Sequence, residues 1–277
     1  MNLEYYFFLI KPFILLIFLG ITYSILGIFV LLKRLSFFSD GIAHASIFSL
    51  SIAYLLGLEL IPVGILGGIF FSSLIYFLEK KTRIYSDALI GFIFVTFLSL
   101  GIIVVSFKKG YQPELLNFFI GNILTLSQFD FYLVISISFI ILFSVIFLFK
   151  KYMLIFLDRN EAILRGLNVN FYEYLFYLTL GIATILGIKI IGIVLITALL
   201  ILPPMSSSLL SRNFKQLIIF SPLFSLLNIF NGFLISFLFN FPLSSSVVAS
   251  NSFFFLILFI LKFLLKFYFK IIFREKY

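Results

Sequence analysis

Long apolar runs separated by short clusters of charge dominate the chain. A helix rises about 1.5 Å per residue, so a hydrocarbon core of roughly 30 Å takes about 20 apolar residues to cross. Reading for such runs gives nine segments: Pro12–Leu32, Phe37–Gly57, Leu58–Leu78, Asp87–Phe107, Phe129–Phe149, Phe171–Gly187, Ile190–Leu210, Leu217–Phe239 and Val247–Leu265. The stretch Pro113–Leu126 is apolar but short and contains Gly121 and Asn122, which suits an interfacial or re-entrant piece rather than a span. No alternation of period two runs through the chain, so a membrane barrel is a poor reading and helices must satisfy the backbone polar groups. The predicted architecture is all-α: a polytopic transmembrane bundle of eight to nine helices, forming a single domain over residues 1–277.

Composition agrees. Hydrophobic residues make up 63% of the chain and charged residues 11%, with 42 Phe among 277 positions. Ordinary globular domains are ~45–50% apolar, and a water-soluble fold could not bury the excess. Soluble enzymes, disordered chains, coiled coils and nucleic-acid-binding domains are therefore poor readings. Cys is 0, which removes disulfides and thiolate metal sites. The net charge of +9 follows topology: with the N-terminus outside, only Lys11, Lys108, Lys109 and Lys189 of the 20 basic residues face outward. All others, including Lys33, Lys80, Lys81, Lys150, Lys151 and the C-terminal group, fall inside, against anionic headgroups rather than nucleic acid. The N-terminus begins with Glu4 rather than a basic cluster, and the first Ala is Ala43. No A-x-A cleavage site precedes it, so the first segment reads as retained.

An ionisable side chain at the bilayer centre costs at least about 2.5–3.5 kcal/mol, so such residues are functional candidates. The second segment opens SFFSDGIAHAS, which places Asp40 and His44 one helical turn apart on one face, with Ser36 a turn earlier. His44 is the single His of the chain. A carboxylate oxygen and an imidazole nitrogen converging from adjacent turns form half of a first-row metal site. Two plainer readings compete: Ser39 or Asp40 caps the helix, or Asp40 only fixes the imidazole tautomer. Asp87 opens the fourth segment after Ser86, where an N-cap role competes with a place on a metal path. Lys189 and Lys262 read as snorkelling to the interfaces, and the run GILGGIF as a smooth packing face. Pro203-Pro204 is expected to break the seventh segment, with Met205 and the following serines beside a polar cavity.

The longest charged insert runs from Lys150 to Asn170. Asp158, Arg159, Glu161 and Arg165 fall on one side of a short helix, Ile155, Ala162 and Leu167 on a more apolar one, and Gly166 supplies a C-cap. A docking surface and a solvated connector are both compatible with this pattern.

The blocks KRLSFFSDGIAHAS, LEKKTRIYSDALIGFIFVTFLSLGIIVVS, LDRNEAILRGLNV and IKIIGIVLITALLILPPMSSSLLSR, in that order over residues 33–215, resemble the zinc/manganese/iron(II) family of ABC-transporter permeases. The resemblance implies a multi-pass permease of a bacterial-type plasma membrane with its C-terminus cytoplasmic. It implies a permease homodimer or heterodimer that docks cytosolic ABC ATPase subunits and takes metal from an extracytoplasmic metal-binding protein. It also implies that Asp40, His44 and Asp87 lie on the metal pathway and that Asp158, Glu161 and Gly166 belong to the segment coupling to the ATPase. No resident cofactor is implied: the divalent ion is cargo, ATP is used by the partner, and no Walker A pattern occurs here. Two departures stand out. Val95 occupies the place where some zinc-type members carry a second His, and Asn240, Pro242 and Ser244 stand where the family often reads Asp-x-Pro-x-Gly. A proton-coupled secondary transporter using Asp40, His44 and Asp87 as a relay is the competing function, and a non-transporting membrane scaffold a third.

Overall fold

The computed structural model describes residues 3–82, 84–107, 121 and 128–274. Its helices are α1 (Leu3–Leu32), α2 (Phe38–Leu56), α3 (Leu60–Lys81), α4 (Ser86–Ser106), α5 (Gln128–Phe147), α6 (Phe149–Leu157), α7 (Arg159–Leu164), α8 (Val169–Ile191), α9 (Ile193–Leu210), α10 (Phe214–Phe239) and α11 (Leu243–Arg274). Among the described residues there is no strand. Each of the nine apolar segments falls on a helix. Seven helices (α1, α3, α4, α8, α9, α10 and α11) are long and apolar enough to cross a membrane, and the pair α5–α6 makes an eighth, bent by 60°. The remaining segment is α2, 19 residues long, less apolar because Ser39, Asp40, His44, Ser46, Ser49 and Ser51 lie in it. The short stretch Pro113–Leu126 lies outside the described residues apart from Gly121, as do Lys108 and Lys109.

Helices α1 and α8 form the centre. About 72% and 67% of their most apolar windows are buried, against 22% for α4 and 17% for α11, which leave broad faces for lipid. On α1 the buried side chains Leu15, Leu19, Tyr23, Leu26 and Phe29 recur every three to four positions, as one helical face requires. The Tyr23 hydroxyl donates to the Ala183 carbonyl at 2.6 Å and ties α1 to α8. Phe29 meets Phe149, Tyr152, Phe156 and Phe176 with ring centroids 4.9 to 6.1 Å away, gathering α1, α6 and α8. Helix α3 lies against α8 through Gly68, where a Cβ would come within 3.1 Å of the Gly181 carbonyl oxygen. The packing role expected of GILGGIF holds here.

Two local expectations are corrected. Pro203 and Pro204 do not break the seventh segment: α9 runs through them, both are buried, and they do not line the main cavity. Proline at 204 removes the N–H that the Leu200 carbonyl would accept in a regular helix. Gly27 packs against that carbonyl so closely that a Cβ there would sit 1.9 Å from the oxygen. The helix continues through the proline pair without unwinding, with α1 packed closely at the Leu200 carbonyl. The α8–α9 boundary falls at Gly192, with φ 80° and ψ 163°, rather than between Gly187 and Ile190. Gly187 is helical and makes room for Tyr23 and Ile196.

Candidate functional site

A tight turn after α1 sets the start of α2. Arg34 adopts φ 59°, the Leu35 N–H donates to the Val30 carbonyl at 2.9 Å, and the Phe38 N–H donates to the Leu35 carbonyl at 3.0 Å. Phe37 occupies the N-cap without a side-chain capping bond, so neither Ser39 nor Asp40 caps the helix. Asp40 stands in the first turn, where the positive end of the helix dipole favours a carboxylate. Its Oδ1 accepts a 2.7 Å hydrogen bond from the Thr197 hydroxyl on α9, and Ser39 Oγ lies 3.5 Å from the same hydroxyl. The single Thr197 proton has the Ile193 carbonyl, 3.1 Å away, as its other acceptor; the shorter bond to an anion is the stronger one.

His44, one turn further along α2, meets the Phe94 ring edge-on at 4.9 Å and 86°. Helices α2 and α4 close on each other at two glycines: a Cβ at Gly41 would be 2.4 Å from Ile90 Cγ2, and one at Gly101 would be 2.8 Å from the Phe48 backbone nitrogen. This contact aligns α4 beside α2 and brings Asp87 to the mouth of the same space. Tyr85, not Asp87, is the N-cap of α4, and it makes no side-chain capping bond. Asp87 is exposed in the first turn.

Asp40, His44, Asp87 and Thr197 all line one cavity of about 690 Å³, whose other walls are largely apolar: Phe37, Phe94, Ile90 and the α9 face from Ile193 to Leu202. Both partners stand near helix starts, Asp40 in the first turn of α2 and Thr197 in the second turn of α9, and each is half-buried in the cavity wall. Among the described residues no three His, Asp or Glu side chains converge to hold a metal ion. One chain thus presents an imidazole and a hydrogen-bonded carboxylate as two neighbouring donors, with a second carboxylate further out. Val95, in the place of the second His, is 58% exposed and does not line the cavity. Thr197 escaped sequence reading because a hydroxyl in a span ordinarily bonds its own helix four residues back, and only the fold reveals its second partner.

The α7 segment is capped at both ends. Asp158 is its N-cap and accepts from the Glu161 N–H at 3.0 Å. Gly166 has φ 75°, its N–H donates to Ile163, and the Leu167 N–H donates to Ala162 at 3.1 Å, the paired bonds of a Schellman motif. Glu161 Oε1 holds Arg165 at 2.8 Å on the outer side. Ala162 is buried against Ile155 and Val169, which anchors the segment, while Ile163 and Leu164 point outward. Asp158 and Gly166 therefore shape the helix, and Glu161 decorates its exposed face.

A second polar cluster, absent from the sequence reading, gathers Lys33, Glu79, Arg159 and Glu173 beside Tyr76 and Tyr177. Lys33 Nζ lies 3.1 Å from Glu173 and 3.4 Å from Glu79, and Arg159 lies 3.4 Å from Glu173. A carboxylate three residues into the sixth apolar segment was its signal.

A bundle of apolar helices around an ionisable cavity, with a rigid charged segment at one end, defines a polytopic membrane permease. The model of the ABC 3 transport family matches residues 5–262, and the chain belongs to that family. It is 30% identical over 256 residues, 92% of this chain and 91% of the relative, to the "Manganese transport system membrane protein MntC" of Listeria monocytogenes. It is 29% identical over 233 residues, 84% of this chain and 89% of the relative, to the "High-affinity zinc uptake system membrane protein ZnuB" of Buchnera aphidicola. Among solved structures, "PsaBC from Streptococcus pneumoniae in complex with Fab" matches with a TM-score of 0.78 at 30% identity, covering 91% of both chains.

Proposed function

We propose that this chain is the permease subunit of an ATP-driven importer of divalent transition-metal ions, and that the ion passes a site built around Asp40 and His44. The observation that carries this reading is the cavity that collects Asp40, His44, Asp87 and Thr197 from three helices inside an otherwise apolar bundle. Ions of the first transition row favour nitrogen and oxygen donors of this kind, and the chain has no sulfur donor of the thiolate type. Two donors from one chain leave the coordination shell unfinished. A second permease copy, or a sister permease, facing the first across the cavity supplies the matching pair, with water completing the shell. Modest affinity suits passage, because an ion held too tightly cannot leave.

Asp87, exposed at the cavity mouth, adds a carboxylate along the route. The capped α7 segment, with Glu161 and Leu164 outward, is the docking point for a separate cytosolic ATPase that supplies the hydrolysis; an extracytoplasmic binding protein delivers the ion from the other side. This places the N-terminus outside and the C-terminus in the cytoplasm of the plasma membrane, in line with the basic loops. Relatives of nearly equal identity are named for manganese and for zinc, so overall similarity does not fix the metal. One imidazole per chain among oxygen donors fits manganese or iron(II) better than zinc. Deleting the gene and measuring cellular manganese, iron and zinc tests the function: the cargo metal falls, and unchanged levels of all three under metal limitation overturn it.

A further inference from the structure

We propose that Glu173 is a positioning residue for transport, the hub that joins the α7 segment to the helix carrying Asp40 and His44. This role presupposes the permease reading above. Glu173 is 5% exposed. One of its oxygens lies 3.1 Å from Lys33 Nζ and the other 3.4 Å from Arg159 Nη1, so a single buried carboxylate bridges two cations. Lys33 is shared in turn with Glu79 at 3.4 Å, and the Tyr177 hydroxyl donates to Glu79. Glu79 and Glu173 are thus paired with Lys33 and Arg159 around a pocket of about 70 Å³ that Lys80 also lines. Buried ions persist only when paired in this way.

The backbone segments they belong to give the network its meaning. Arg159 is the first residue of α7, and it also donates to Asn170 Oδ1 at 3.4 Å. Lys33 sits in the turn that launches α2, pinned by the Lys33 N–H to Phe29 bond at 2.9 Å and by the Leu35 and Phe38 bonds described above. A second arm runs from Glu79 through Tyr177, whose ring stands edge-on to Phe38 at 5.4 Å and 84°. The first arm ends at Lys33 in the turn before α2, and the second at Phe38, the first residue of α2 and two positions short of Asp40. The cluster therefore touches the ATPase-facing segment on one side and the root of the metal-bearing helix on the other.

The two arms differ in exposure. The Arg159 side chain is 51% exposed, against 20% for Lys33 and 7% for Glu173. Water competes for the Arg159 pair, so that pair is the one that opens and closes as α7 moves, while Lys33 retains Glu79 and Glu173. Each change at Arg159 alters the charge felt by Glu173 and, through Lys33, the seat of the α2 turn. The residues form a contiguous network between the two segments, and coupling through it requires that the exposed Arg159–Glu173 pair take two arrangements, which the ratio measured below tests.

The test uses the complete transporter, permease with ATPase and metal-binding protein, in proteoliposomes. Metal ions delivered per ATP hydrolysed are counted for the wild type, Glu173→Gln, Arg159→Met and Arg159→Lys. Glu173→Gln leaves Lys33 paired with Glu79 and lets Arg159 turn to water, so assembly survives. Glu173→Gln is expected to keep the ATPase bound and hydrolysing while ions per ATP fall about tenfold, within the range of a coupling free energy between sites, and Arg159→Met, counted only in complexes that retain the ATPase, is expected to show the same fall. Arg159→Lys restores the ratio. A purely structural role lowers the yield of assembled complex and leaves the ratio unchanged, which overturns the proposal. If Glu173→Gln fails to assemble, Arg159→Met decides alone: a wild-type ratio in that variant refutes the hub. A wild-type complex that delivers no metal refutes the permease reading itself, whereas active transport with equal ratios in all variants refutes only the role of Glu173.

Discussion

Replacing Thr197 by Val removes one hydroxyl from the cavity wall and preserves the branched shape of the side chain. That hydroxyl donates to Asp40 at 2.7 Å and is the only link described between this carboxylate and α9. Hydrogen bonds to a charged partner contribute about 1.5–3 kcal/mol. Without it, Asp40 keeps its place in the first turn of α2, but its carboxylate is free to rotate and faces an apolar wall. In the proposed site the ion engages the same carboxylate, so lost orientation should appear as weaker capture, about 10–100-fold, the usual effect of removing a group that orients a metal ligand. The assay is initial-rate uptake against metal concentration in cells expressing equal amounts of assembled transporter. The half-saturating concentration is expected to rise by that factor in Thr197→Val and to recover in Thr197→Ser, which keeps the hydroxyl. A wild-type half-saturating concentration in Thr197→Val refutes the reasoning, as does a Ser variant no better than Val.

Other consequences follow from single contacts. Glu161→Arg places two cations one turn apart on the exposed face of α7 while leaving the Asp158 cap intact, so the ATPase should no longer co-purify; unchanged co-purification removes Glu161 from the docking surface. Gly27→Ala drives a Cβ to 1.9 Å from the Leu200 carbonyl, a backbone atom that cannot swing aside, and should destabilise the purified protein by about 3 kcal/mol in detergent thermal unfolding. Gly91→Ala, with open space at its Cβ, serves as the neutral comparison. Gly41→Ala pushes α2 from α4 through Ile90 Cγ2 and should impair uptake; Ile90→Ala removes the obstructing methyl and should restore it. Failure of that rescue would show that the α2–α4 contact does not shape the cavity.

The spans were legible because twenty-residue apolar runs have few physical alternatives, and even α2 was found despite its polar positions. The Asp40–His44 pair was equally readable, since helix periodicity alone places residues four apart on one face. The bend between α5 and α6 was not. The reading Phe129–Phe149 ended near the right place, but it gave no sign that the helix resumes at 60° and carries Lys150 and Lys151 away from the span. No proline or glycine marks that bend, and Tyr152 and Ile155 are buried only by the helices they turn toward. The Pro203-Pro204 pair misled in the opposite direction, because the helix runs on through both prolines in a packed setting that includes Gly27, far away in sequence. Thr197 and Glu173 share that difficulty: their partners Asp40 and Lys33 are brought to them by the fold. Glu173 did carry a sequence signal, a carboxylate inside an apolar run, while Thr197 carried almost none.

The central claim is that a nitrogen and an oxygen donor, carried one turn apart by α2, handle the transported ion. Its most direct test is ATP-dependent accumulation of radioactive manganese in vesicles holding the assembled transporter, comparing the wild type with His44→Ala. The expected result is accumulation by the wild type and none by the variant at equal levels of complex and ATPase activity. Accumulation by His44→Ala at the wild-type rate would contradict the account.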